Sequence, residues 1–350
     1  MELDETAGGL HRGRQDGGSR SGVRVNVMSM VCPRAYARAL ATIAALLVCT
    51  CSSPAPRDGT VVTGELVSGA GPESTDGVLN VYVVNYPLKY LAERLGGEHV
   101  LVRFPAPSDL DPASWRPAAD MIASYQQADL ILLNGAGYAR WTSFASLPQS
   151  KLVDTSAGFE DRYLRLKETV THTHGPEGNH SHGEIAFTTW LDPQLAIMQA
   201  GAIRDAFTKA RPENGEDFQR GFEALEVDLL ELDRSLEVGF SPARNKPLLA
   251  SHPIYQYPAR RYDLDLKSVH FEPDEDPDAK GWRDLQRILV SHPATWMLWE
   301  DEPLDTTAQK LADLGVRIVV FDPCGNEPEE GDFLSVMRTN LQSLQLAFSR

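Results

Sequence analysis

From residue 78 onward the chain alternates short β-branched and leucine-rich runs with amphipathic stretches, the pattern of a fold in which helices join parallel strands. Strands are predicted at 79–84, 100–104, 130–134 and 151–154, and again at 247–250, 267–271, 296–299 and 317–321. Between the two series, Phe218, Phe222, Leu225, Leu229, Leu232 and Leu236 recur at steps of three and four residues. That spacing predicts one amphipathic helix over 216–238, about six turns long, ended by Gly239 and Pro242.

The two series superpose. Residues 83–95, a strand followed by a polar pair, a proline and a helix, align with 249–261, which have the same order. Such internal similarity predicts two similar lobes, each a mostly parallel four-stranded sheet flanked by helices, joined by one long helix. An ordinary helix within one domain is the alternative. In open α/β sheets ligands bind beyond the carboxyl ends of the strands, so two facing lobes make a cleft. A continuous helix between them favours a small tilt over a large hinge. The expected organisation is a first lobe at 78–212, the helix at 213–240 and a second lobe at 241–350.

With 350 residues, 42% of them hydrophobic, the chain can bury a sizeable core. Its formal net charge of -16 argues against a nucleic-acid partner, which needs clustered Lys and Arg. Arg34 and Arg38 precede a short apolar run at 39–48, the layout of an export signal and too short to span a bilayer. Cys49, Cys51 and a Pro/Gly/Ser/Thr-rich stretch to about residue 77 follow. This resembles a bacterial lipoprotein signal, region 1–51, with a flexible tether, 52–77. Cys51 is the preferred lipidated residue, although Val48 and Thr50 are bulkier than a lipobox usually has. Residues 1–51 carry six Lys/Arg and four Asp/Glu, so the remainder holds 27 basic against 45 acidic residues, a net charge of -18. Only Cys324 remains as a thiol in the expected exported body, which excludes an internal disulfide framework.

Candidate chemistry begins with four of the nine histidines, His172, His174, His180 and His182, in one window within a loop at 171–184. Two His-x-His pairs with almost no apolar neighbours suit a transition metal; a solvated loop is the alternative. His252 follows an apolar strand and precedes Pro253, and Asp322 ends the strand at 317–321, so both are expected at the cleft mouth. Glu302 lies in Trp-Glu-Asp-Glu-Pro, and Asp111 in an Asp-Pro segment whose default role is a turn. The run 271–278 reads as a solvated acidic loop, and His99 and His292 as surface histidines.

These residues together resemble the zinc- and manganese-binding lipoproteins of bacterial ABC importers. The resemblance runs from Asp-Pro-x-x-Trp-x-Pro (111–117) through Gln-Gln-Ala-Asp-Leu-Ile-Leu-Leu-Asn-Gly-Ala-Gly-Tyr (126–138), the His-rich loop before Trp-Leu-Asp-Pro (190–193) and Ala-Ser-His-Pro (250–253), to Glu-Pro (302–303) and Asp-Pro-Cys-Gly (322–325). It implies four metal ligands, two from each lobe. They fall on His252 and Asp322 in the second lobe, and on Asp111 and Thr188 in the first, where the family usually has histidines. Thr188 is a poor ligand. A loop histidine, His180 or His182, is the favoured replacement, with Glu302 or water as alternatives, and His172 and His174 as a secondary metal loop.

The function implied is an exported, envelope-anchored protein, not an enzyme. It would capture a divalent metal, Zn2+ first and Mn2+ or Fe2+ as alternatives, and deliver it to an ABC permease as a lipid-anchored monomer. A metal-dependent hydrolase is the rival from another class, though neither His-Glu-x-x-His nor Gly-x-Ser-x-Gly occurs. A surface adhesin or receptor that has lost its metal is the second rival.

Overall fold

The computed structural model describes residues 77–166 and 185–348, together with the backbone of 171–174 and 178–181. The signal region, the tether, Cys49, Cys51 and His182 lie outside the described residues. The described residues belong to one compact unit.

The first lobe contains β1 (Leu79–Val83), α1 (Tyr86–Gly96), β2 (Val100–Arg103), α2 (Ala119–Gln127), β3 (Leu130–Leu133) and β4 (Leu152–Asp154). A two-stranded antiparallel ribbon, β5 (Thr171–His174) and β6 (Gly178–Ser181), precedes α3 (Pro193–Ala210) and α4 (Gly215–Phe240). The second lobe runs through β7 (Pro247–Ala250), α5 (Gln256–Arg261), β8 (Asp265–Ser268), α6 (Ala279–Ser291), β9 (Trp296–Trp299), α7 (Asp305–Asp313), β10 (Arg317–Val320) and α8 (Phe333–Phe348).

Both four-stranded sheets are parallel, and their orders are β2-β1-β3-β4 and β10-β9-β7-β8. Numbered from the first strand of each lobe, the two orders are the same. The repeat seen in the sequence is therefore a repeat of topology, and each sheet has its switch point between its first and third strands, where parallel sheets bind ligands.

Local chemistry sets the helix starts. The Asn85 side chain accepts a hydrogen bond from the Leu88 N–H at 3.2 Å and Pro87 occupies the first turn of α1; Asp192 and Pro193 do the same for α3. A proline there loses no helical hydrogen bond. One buried cluster runs from the first sheet (Val81, Ile131) through α4 (Leu225, Leu229, Leu236) to the second lobe (Leu248, Phe321, Leu344). The lobes thus share a core along α4.

At 26 residues, α4 is about 39 Å long. It packs on α1 and α3 of the first lobe and α8 of the second. A side chain at Gly221 would put Cβ 2.6 Å from the Leu95 carbonyl oxygen of α1, and one at Gly239 would put it 2.7 Å from Leu341 Cδ1 of α8. Glycine therefore permits close helix contact once in each lobe.

Four sequence expectations change. Gly239 does not end the long helix, which continues to Phe240 with that glycine facing α8; Pro242 lies in the 3-10 turn that follows. The sixth predicted strand begins and ends earlier than 267–271, because β8 is an edge strand whose ladder stops with Ala250 of β7. The His-rich segment contains a strand pair with His172 opposite His180 in the backbone register. His292 is buried, with Nε2 3.0 Å from the Leu248 carbonyl oxygen, and His99 is half-buried against Asp217 at 2.9 Å, so neither is a free surface histidine.

Candidate metal centre

All strands of the second sheet point the same way, so their carboxyl ends form one edge. His252 stands just beyond β7 and is 4% exposed. The chain leaving β8 continues as Phe271 N–H to Ser251 carbonyl, which brings Glu272 alongside. Glu300 follows directly on Trp299, the last residue of β9. His252 Nε2 lies 2.9 Å from Glu272 Oε1, and Nδ1 lies 3.3 Å from Glu300 Oε1. One ligand atom from each of the three residues falls within 4.8 Å of the other two. They meet at the β7/β9 switch point.

Burial alone would lower the His252 pKa, but the two glutamates more than reverse this and raise it to about 10. The metal-free imidazole is therefore a cation clamped between two carboxylates. Asp322 follows β10 in the same cleft; its Oδ1 accepts the Cys324 N–H at 2.6 Å, and Asn340 of α8 hydrogen-bonds both its backbone N–H and C=O. Burial raises its pKa, and the nearby charges of Asp301 and Glu300 add to the rise.

Among the described residues, the first sheet's switch point has no such charge. Asn85 donates to Asn134 Oδ1 at 3.2 Å, and Gln199 of α3 donates to Asn134 Oδ1 at 3.3 Å and to Thr155 Oγ1 at 3.0 Å. Neutral buried groups satisfy one another there. Between the lobes lies a cleft of about 1910 Å3, lined among others by Asp111, Thr188, His252, Glu272, Glu300 and Asp322. It is far larger than an ion, so donor chemistry and not overall fit must confer selectivity.

The segment after Asp322 joins the lobes. Pro323 C=O accepts from Trp190 Nε1 at 2.8 Å, Gly325 C=O from the Tyr86 N–H at 3.1 Å, and Asn326 Nδ2 donates to the carbonyls of Pro107 and Leu110 at 2.9 Å each. Glu327 pairs with Lys89 of α1 at 2.7 Å. One short strap therefore connects a cleft carboxylate to the loop that carries Asp111.

The family model described as "Zinc-uptake complex component A periplasmic", ZnuA, matches residues 81–347. The chain belongs to the ZnuA family. It is 26% identical over 291 residues to the zinc-binding lipoprotein AdcA of Streptococcus pneumoniae, an alignment covering 80% of this chain and 58% of AdcA. It therefore spans little more than half the length of that relative. The high-affinity zinc uptake system protein ZnuA of Bacillus subtilis is also 26% identical, over 307 residues that cover 80% of this chain and 93% of the relative. In fold, the chain matches the Zn(II)-bound ZnuA-like domain of S. pneumoniae AdcA with a TM-score of 0.66 at 22% identity, covering 78% of this chain and all of that domain.

Within this ZnuA-family architecture the residues singled out in the sequence separate. His252, Asp322, Asp111 and Thr188 all line the cleft. The Asp111 side chain is exposed and caps its own turn, with Oδ1 accepting the Ala113 N–H at 2.9 Å. Thr188 is buried and donates to the Ile254 carbonyl at 2.6 Å, bridging the lobes. Glu302 is exposed and lies outside the cleft lining, because the chain turns away after Asp301. His172, His174 and His180 belong to the β5/β6 ribbon, of which the backbone alone is described.

Two cleft residues escaped the sequence reading, Glu272 and Glu300. Both sit in acidic runs that look solvated, and Glu272 was assigned to a surface loop that in fact buries Phe271 and folds toward β7. The signal that finds Glu300 is its place immediately beyond the Trp296–Trp299 strand.

Proposed function

We propose that this chain is the extracytoplasmic substrate-binding component of an ABC importer, capturing a divalent transition metal in the interlobe cleft and delivering it to a membrane permease. The observation that carries the reading is the buried imidazole of His252 held between two carboxylates at a sheet switch point. Zinc is the first cargo, since AdcA and the B. subtilis ZnuA protein are both named for zinc; Mn2+ and Fe2+ are alternatives with oxygen-rich donors. Export, envelope attachment through a lipid on Cys51 and a carrier role without catalysis complete the reading. His252 and Asp322 are proposed as ligands.

An ion that draws the His252 and Asp322 side chains together also acts on the strap that reaches the first lobe. The liganded shape then differs from the empty one, and such differential contact is what a permease can sense. The β5/β6 histidines are proposed as a weaker loop site that raises metal concentration near the cleft.

The test is metal content and thermal stability of the tag-free protein after dialysis. Bound zinc, and a melting temperature that rises with added Zn2+, are expected, because a ligand at 100 times its Kd stabilises the native state by about 2.7 kcal/mol. Absence of metal together with no thermal response would contradict the carrier. Zinc-dependent turnover of ester, amide or phosphate substrates would favour a hydrolase instead.

A further inference from the structure

We propose that the second lobe alone binds the ion, through one side chain beyond each of its four strands: His252 after β7, Glu272 after β8, Glu300 after β9 and Asp322 after β10. This rests on the metal-carrier reading and specifies its donor set, which differs from one shared equally between lobes.

Topology supplies the first argument. Four parallel strands place four chain ends on one edge, and each end here carries a metal-competent side chain. Three of the four already have ligand atoms within 4.8 Å of one another, a separation that small side-chain movements reduce to a common coordination sphere. Asp322 borders the same cleft and lies close enough for the Glu300 charge to act on its carboxyl group.

Charge supplies the second. Glu272 and Glu300 flank the buried His252 imidazole at 2.9 and 3.3 Å, and Asp322 borders the same cleft; carboxylates gathered at one sheet edge favour a cation among them. One nitrogen and three oxygens satisfy tetrahedral Zn2+, and the oxygen majority also accepts Mn2+ or Fe2+.

The first lobe supplies the third, by what its side chains already do. The hydroxyl proton of Thr188 is given to the Ile254 carbonyl, and an Asp111 oxygen is turned back to its own loop. The switch point of the first sheet is closed by Asn85, Asn134, Thr155 and Gln199. Through its described residues, this lobe covers the ion without ligating it.

Zinc-edge X-ray absorption on the full exported chain loaded with one equivalent of Zn2+ reads the donor set without any substitution. One imidazole among oxygen donors is expected; two or more imidazoles would overturn the single-lobe set. Calorimetric titration with Zn2+ then assigns the residues. Glu272→Gln and Glu300→Gln are each expected to weaken binding by at least about tenfold, with far-UV circular dichroism unchanged, while Asp111→Asn leaves affinity near that of the wild type. A large loss in Asp111→Asn, with both glutamate variants unaffected, overturns the proposal and leaves the carrier reading standing. A wild-type protein that takes up no Zn2+ overturns both.

Discussion

His252 does two jobs that depend on its protonation. Without metal it is an imidazolium bridging Glu272 and Glu300 at neutral pH, since its pKa is raised to about 10; a metal ligand must be the neutral ring. Zinc binding should therefore expel a proton. Calorimetry in buffers of different ionisation enthalpy is expected to give close to one proton released per ion near pH 7, and zero release would contradict the clamped-cation geometry. Thr188 gives the opposite kind of expectation. The family resemblance leads one to expect a ligand at this position, yet its hydroxyl bridges to Ile254. Thr188→Val should lower stability by about 1 kcal/mol in urea unfolding and leave zinc affinity unchanged. At this scale His252 was legible because an imidazole directly after an apolar strand is conspicuous. Glu272 and Glu300 were not, because acidic runs carry the same composition whether they are solvated or folded over a sheet edge.

Among the elements, α4 determines how the lobes meet. Asp233 in its last turns holds Arg261 of α5 and accepts from Gln194 of α3 and Tyr262, while Arg260 pairs with Asp192 at the start of α3. These pairs brace the helix against both lobes, and the two glycines bring it close to α1 and α8. Their replacements should differ. Gly221→Ala forces Cβ onto backbone, an overpacking cost of about 1–3 kcal/mol set against about 1 kcal/mol gained in helix propensity. Gly239→Ala meets the end of a movable leucine. Urea unfolding should show the first variant destabilised by up to about 2 kcal/mol and the second near neutral; equal effects would mean that α4 and α1 are less tightly packed than described. The strands were readable because runs such as Leu-Ile-Leu-Leu at 130–133 are short, apolar and bounded by polar residues. The edge strand β8 was misplaced because its length is fixed by β7, which periodicity within 265–271 cannot reveal. The β5/β6 pairing carries no apolar alternation at all, so composition indicated only a loop.

For the whole molecule, a core continuous along α4 and several interlobe hydrogen bonds imply a body in which one lobe shifts slightly against the other. The strap from Asp322 to Glu327 is the most direct mechanical link between the cleft carboxylates and the first lobe. Asn326→Ala removes both bonds to the 107–110 loop, which should cost about 1–2 kcal/mol and speed amide exchange across residues 105–112, measured by hydrogen–deuterium mass spectrometry, with zinc affinity little altered. Unchanged exchange there would remove the strap from the account of signalling. The duplicated topology was legible from the matching order of strand, polar pair, proline and helix in both halves. The unequal chemistry of the two sheets, charged in one and neutral in the other, was not, because it depends on which side chains the strand ends bring together.

Anomalous diffraction at the zinc edge, on crystals grown with Zn2+, addresses the central claim most directly. A peak in the interlobe cleft at coordination distance, about 2.0–2.2 Å, from a His252 nitrogen and from carboxylates beyond the second sheet is the result expected. A cleft without anomalous density in protein that is saturated with zinc elsewhere, or an ion there with His252 turned away, would contradict it.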